Sequence, residues 1–183
     1  MLEQGGVYIH NSFLSLEDFK KLDNSFLDYD FEASYQPYGE YYGNRLQAYP
    51  VYESELLQDI DPELNQKVKD KLEETLGHEV INFHASLRYV ELDEVARSAQ
   101  NEKYSIKHTD PKMCAGIIYF EQAVDGGTAM FRNPYDKKPD IEVAAYPNRC
   151  MIYNGQMFHA PCNDFTYDRR KILIFFFDLN LDK

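Results

Sequence analysis

The feature that most limits what this chain can fold into is a change of hydrophobic period near residue 79. Before it, apolar residues recur at helical spacing. After it, they alternate or run together in short segments separated by turn residues. Two helices are legible in the first part. Ser15 is an N-cap with Asp18 at the capping-box position, and Leu14 and Phe19 are spaced as a hydrophobic staple. Leu16, Phe19, Leu22 and Phe26 then share one face, which predicts a helix over about 16–27. Asp61 caps a second helix with Pro62 in its first turn, a stripe of Leu64, Val68, Leu72 and Leu76, and Gly77 as the stop. That stripe reads as core packing against the protein's own sheet.

Residues 7–14 read as a short strand running into a turn, and strand patterns occupy 80–92, 104–110, 113–121, the TAMF run after Asp125-Gly126-Gly127, 141–147, 149–155 and the almost wholly apolar 171–179. Two helices followed by seven or eight short strands indicate an α+β chain whose β part is a double-sheeted jelly roll or barrel. At 183 residues it fits one domain, helical over about 1–78 and jelly roll over about 79–183. The tyrosine-rich stretch 28–52, with Arg45, and the polar stretch 93–102 interrupt the pattern. The former reads either as an aromatic connection on the surface or as a lid facing substrate.

Net charge excludes some partners. At −12, with a pI near 4.8, the chain repels a nucleic-acid backbone. Cys114, Cys150 and Cys162 are too few and too scattered for a disulfide framework or a zinc knuckle. No apolar run reaches the roughly 20 residues of a membrane helix, and the first ten residues have neither a basic leader nor an apolar core. The expectation is a soluble, cytoplasmic protein with no membrane partner.

Chemistry-bearing residues gather in the second part. His108 and Asp110 form a His-x-Asp pair on a strand, where residues two apart point to the same side. Alone, such a pair is unremarkable in so acidic a chain, and His10, His78 and His84 have ordinary readings as core, surface or helix-end histidines. His159 changes the weight, lying at the end of an apolar strand before a proline turn. Two histidines and a carboxylate from neighbouring strands suit a facial site for non-heme Fe(II), with three positions left open. A structural zinc site would ask for cysteine or a further histidine, and none is placed to serve. The last strand begins with Arg169 and Arg170. An arginine turned into an interior of isoleucine and phenylalanine is costly unless it meets an anion, and a guanidinium grips a carboxylate with two hydrogen bonds. If Arg169 points inward, so does Lys171; if Arg170 does, Ile172 and Ile174 follow it, which favours Arg170.

The order His108-x-Asp110, GGTAMF (126–131), His159 and then an arginine resembles the Fe(II)- and 2-oxoglutarate-dependent dioxygenases, in particular the prolyl-4-hydroxylase-like branch. LRYVEL leading to YSIKHTDP, IIYFE, and the N-terminal FLSLEDFKKL carry the same likeness, which spans residues 7–179. The resemblance implies a double-stranded β-helix with the N-terminal helices packed on the major sheet. It implies His108, Asp110 and His159 as iron ligands, and Tyr119 with Arg170, or Arg169, at the far carboxylate of 2-oxoglutarate. Fe(II), 2-oxoglutarate and O2 would be the reactants beside a substrate C–H bond in a peptidyl residue, amino acid or small metabolite. Hydroxylation, with succinate and CO2 released, is the outcome this implies. The chain departs from many relatives in carrying Ser105 three residues before the first histidine, and Ile172 two residues after the arginine. Two other readings are a cupin-like jelly roll that binds metal without catalysis, and a zinc-dependent isomerase or hydrolase. The first has no need of Tyr119 and an inward arginine; the second lacks an additional general base.

Overall fold

In the computed structural model the described residues are 6–34, 51–93, 103–104, 107–121 and 125–181. Ser105, most of the tyrosine-rich stretch with Arg45, and all but the edges of the 93–103 excursion lie outside them. The elements run β1 (Val7–His10), α1 (Leu16–Asp28), β2 (Glu32–Ser34), β3 (Val51–Leu56), α2 (Leu57–Ile60) and α3 (Pro62–Leu76). They continue with β4 (Glu79–Glu91), β5 (Cys114–Tyr119), β6 (Thr128–Phe131), β7 (Ile141–Val143), β8 (Cys150–Asn154), β9 (Phe158–Pro161) and β10 (Arg169–Asn180). No helix among the described residues is long and apolar enough to cross a membrane.

The helix signals act as their chemistry requires. The Ser15 hydroxyl accepts from the Asp18 N–H, and the Asp61 carboxylate accepts from the Leu64 N–H. Each satisfies a donor that has no partner inside its helix. Gly77 ends α3 at φ 68°, in the left-handed region that a side chain disfavours.

Two antiparallel sheets follow. The larger has seven strands in the order β1-β8-β5-β10-β4-β3-β2, and the smaller has the order β7-β6-β9. Isolated bridges join Tyr104 to Cys162 and His108 to His159, extending the smaller sheet past β9. Three strands from the first 78 residues, β1, β2 and β3, lie in the larger sheet, so that sheet is not built from residues 79–183 alone. β2 and β3 were not legible in the sequence. Val51–Leu56 (VYESEL) lacks clean alternation, and its pairing with β4 is non-local. As expected for 7–14, a short strand, Val7–His10, runs into a bend, and the described residues of 104–110 contribute two isolated bridges.

Alternation along the strands gives the larger sheet two buried faces. Leu87 of β4, Ile118 of β5, Ile152 of β8 and Leu173, Phe175 and Phe177 of β10 share one apolar cluster with Leu22 of α1 and Leu64, Val68 and Leu72 of α3. The intervening positions face the smaller sheet: Ala115, Ile117, Tyr119, Met151, Tyr153, Ile172 and Ile174 pack with Met130 of β6 and Val143 of β7. Burial on both sides explains why β5 and β8 read as near-continuous apolar runs instead of alternating ones.

Candidate metal centre

The His108–His159 bridge brings two of the three expected donors together. Each residue's N–H donates to the other's carbonyl, at 3.0 and 2.9 Å, so the two residues sit directly opposite and their side chains leave the same face. The ring centroids are 4.3 Å apart. Asp110, two residues on, follows His108 to that side, and donor atoms of His108, Asp110 and His159 all lie within 4.8 Å of one another. His159 belongs to a strand of its own, β9, in the smaller sheet; the sequence reading put it at the end of the preceding apolar strand. A tight turn makes the change of sheet: the Asn154 carbonyl accepts from the Met157 N–H at 2.9 Å, and its side-chain oxygen accepts from the Gln156 N–H at 2.8 Å. The turn then docks on the segment carrying Asp110. The Gly155 carbonyl accepts from the Asp110 N–H, and the Gln156 amide donates to the Asp110 carbonyl. Glycine is required there, since a Cβ at 155 would stand 2.2 Å from the Lys112 carbonyl oxygen.

The donor set suits a divalent cation. His159 Nδ1 lies 3.0 Å from the Met157 carbonyl. A carbonyl only accepts, so Nδ1 carries the hydrogen and the neutral ring has a bare lone pair at Nε2. Burial, reinforced by His108, pushes the His159 pKa down to about 4, so the ring is neutral at pH 7 and its contact with Asp110 is not an ion pair. Nε2 lies 3.3 Å from Asp110 Oδ2 and 3.2 Å from the Tyr153 hydroxyl, which is itself 3.1 Å from Oδ2. These three lone-pair donors share one hydrogen, that of the phenol. A buried carboxylate beside bare imidazole nitrogen is costly until a cation joins it. Imidazole and carboxylate without thiolate fit Fe(II) or Mn(II) better than a structural zinc. Cys114, Cys150 and Cys162 are buried elsewhere, two in the helix-side core and one behind the smaller sheet.

A second polar group lies between the same two sheets. On β10, Arg170 shares the inward parity of Ile172 and Ile174 and is 5% exposed. Its guanidinium donates to the carbonyls of Gly126 and, at 3.2 Å, Gly127, and lies 3.4 Å from Thr128 Oγ1. It also sits over the Tyr119 ring, at 5.9 Å from the centroid. All these hydrogen-bond partners are neutral, and no carboxylate among the described residues forms an ion pair with Arg170. The Tyr119 hydroxyl donates to Thr128 at 2.7 Å. Burial pushes its pKa up to about 12, with Arg170 opposing. Arg169 turns the other way, to an exposed ion pair with Glu91 at 2.8 Å, and Lys171 reaches Asp23 of α1 at 2.7 Å.

Tyr153 and Thr128 were missed in the sequence. Tyr153 shares the parity of Met151 in a run read only as a strand, and Thr128 follows a glycine pair read as a turn. The available signal for Tyr153 was a phenol in an otherwise apolar strand, since a buried hydroxyl needs a partner.

Two facing antiparallel sheets hold a His/Asp/His cluster and a buried arginine between them, and this fold is shared with solved 2OG-Fe(II) oxygenases. Among solved structures, the chain is similar to a prolyl hydroxylase from Trichoplax adhaerens bound to a fragment of the hypoxia-inducible factor oxygen degradation domain. The TM-score is 0.67 at 10% identity, covering 96% of this chain and 84% of that one. A prolyl-4-hydroxylase from Pseudomonas putida gives 0.60 at 12% identity, with 96% and 94% covered. The non-heme alpha-ketoglutarate-dependent epimerase SnoN of nogalamycin biosynthesis gives 0.61 at 10% identity, with 96% and 79% covered. No protein-family model and no curated protein sequence matches the chain.

Proposed function

We propose that this chain is a single-domain Fe(II)- and 2-oxoglutarate-dependent dioxygenase. His108, Asp110 and His159 hold the metal, and Arg170 with Tyr119 holds the far carboxylate of the cosubstrate. The observation that carries this reading is the pairing, between two facing sheets, of a metal-competent cluster with a buried guanidinium whose partners among the described residues are neutral. A jelly roll that merely bound metal would gain nothing from burying that charge. When bound, Fe(II) and 2-oxoglutarate supply activation of O2, with oxidative decarboxylation to succinate and CO2 and oxidation of a substrate C–H bond.

The chain's own residues supply orientation and dryness. The Met157 carbonyl fixes the His159 tautomer and directs Nε2 at the metal. Arg170 and the Tyr119 hydroxyl set the reach of the diacid, with Thr128 supplying the hydroxyl that Ile172 cannot. Ile117, Met151, Ile172 and Ile174 pack together between the two sheets, and this apolar surround would keep water from the reacting centre. Arg169, paired with Glu91 at the surface, takes no part.

Hydroxylation of a peptidyl residue, an amino acid or a small metabolite is the favoured outcome. A peptidyl substrate draws support from the Trichoplax enzyme, which carries a peptide. The epimerase of the same fold favours a second reading, in which a C–H centre is inverted. Nucleic acid is disfavoured as a substrate by the net charge of −12. Anaerobic addition of Fe(II) and then 2-oxoglutarate tests the reading. A weak visible metal-to-ligand charge-transfer band is expected, and it disappears in His108→Ala. Folded, iron-loaded protein without that band would overturn the assignment. Succinate release against panels of peptides and amino acids then sorts the substrates.

A further inference from the structure

Tyr153 is a fully buried tyrosine whose hydroxyl touches two side chains of the metal cluster. It faces the inter-sheet space because β8 alternates, Met151 and Tyr153 to one side, Cys150 and Ile152 to the other. Its register partner on β5 is Ala115, a small side chain beside a large ring. A phenol removed from water must recover a hydrogen bond. Here its contacts are Asp110 Oδ2 at 3.1 Å and His159 Nε2 at 3.2 Å, and its ring lies 4.8 Å from the imidazole, centroid to centroid. The Tyr153 hydroxyl thus offers the Asp110 carboxylate a hydrogen from the strand behind it. The Asp110 backbone is held separately, by Gly155 and Gln156.

We propose that the Tyr153 hydroxyl is a positioning donor of the metal centre: it holds the Asp110 carboxylate against His159 so that both donor atoms meet one ion, and it does not itself bind that ion. The inference rests on the metal-site reading given above. Each carboxylate oxygen has two lone pairs, so Asp110 accepts from Tyr153 while still offering one to a metal. A facial triad of His108, Asp110 and His159 would leave three positions for cosubstrate and dioxygen, and would need no phenol among its ligands. Without the hydroxyl, the carboxylate is free to rotate about its side-chain torsion, and the site is no longer preorganised.

The test is titration of metal-free protein with Co(II), followed through the visible ligand-field spectrum. In Tyr153→Phe the affinity is expected to fall by about 10–100-fold, the range for loss of a partner that orients a ligand. The band positions and intensities should change as the carboxylate reorients, with circular dichroism unaltered. Affinity and spectrum equal to the parent protein overturn the proposal. The unsubstituted protein in its Fe(III) form keeps the question open to refutation if the phenylalanine variant does not fold. A phenolate-to-iron charge-transfer band would show Tyr153 bound to the metal and overturn the positioning role; its absence is expected. His108→Ala separates the two levels. If Co(II) binds the parent and His108→Ala alike, the metal site itself is wrong and the role of Tyr153 falls with it. If His108→Ala loses Co(II) while Tyr153→Phe does not, only the positioning role is refuted.

Discussion

Replacing Arg170 with Met separates cosubstrate binding from stability, because the two should respond differently. In the fold, the guanidinium is buried against two carbonyls and a threonine hydroxyl, with no counter-charge among the described residues. Replacing an uncompensated buried cation by an apolar chain relieves a desolvation penalty of several kcal/mol. Leaving the carbonyls of Gly126 and Gly127 without a donor costs roughly 1–3 kcal/mol each. These contributions oppose one another, so the unfolding midpoint of metal-free Arg170→Met should move by only a few degrees. Cosubstrate binding has no such compensation. A two-point, charge-assisted grip on a desolvated carboxylate is worth about 3–4 kcal/mol, so 2-oxoglutarate affinity should fall on the order of 10²–10³-fold. The assay is anaerobic titration of the charge-transfer band, alongside thermal denaturation. Arg169→Met is the control: its exposed pair with Glu91 is worth at most about 1 kcal/mol, and cosubstrate affinity should not change. Unchanged 2-oxoglutarate affinity in Arg170→Met, or a loss in Arg169→Met instead, would refute the parity argument and the carboxylate role together.

Gly155→Ala should destabilise the protein by about 1–3 kcal/mol, since a Cβ there overlaps the Lys112 carbonyl and the backbone must give way. Because that contact docks the Asp110 segment, Co(II) affinity should fall as well; urea denaturation and metal titration read the two effects. Asp61→Ala should cost about 1 kcal/mol at neutral pH through loss of the α3 cap. Burial raises the Asp61 pKa, but the Lys21 ammonium at 2.7 Å and the Leu64 N–H together outweigh it and hold the carboxyl below its ordinary value. The stabilisation is therefore present above the ordinary carboxylate value, near pH 4, and is lost as pH falls through the lower folded value. Urea unfolding at pH 7 and at about pH 3 should show the gap between parent and variant closing at the acidic end.

Much of the fold was legible in the sequence because its determinants are local. Ser15, Asp61 and Gly77 act on backbone groups within a turn or two of themselves, so the helix limits could be read residue by residue. β2 and β3 could not, because Val51–Leu56 is held by partners on β2 and β4 and not by its own pattern. The candidate site divides in the same way. That His108 and Asp110 share a side follows from the two-residue repeat of an extended chain, and so does the choice between Arg169 with Lys171 and Arg170 with Ile172. Strand parity, however, states only which residues go together. Which face is which was decided when Ile172 and Ile174 joined the cluster that holds Met130 and Val143, and Leu173 and Phe175 the one that holds Leu22 and Leu64.

The meeting of His108 with His159, across a pair of backbone hydrogen bonds between distant segments, belongs to the tertiary structure. So does the discovery that a tyrosine in an ordinary-looking core strand reaches both Asp110 and His159. The residue types and their local spacing were fixed by the chain itself, and from them came the chemistry the site is capable of. The distances at which those residues stand were set only by packing one sheet on another, because a hydrogen-bond register between remote strands is an interaction that no short window of sequence contains.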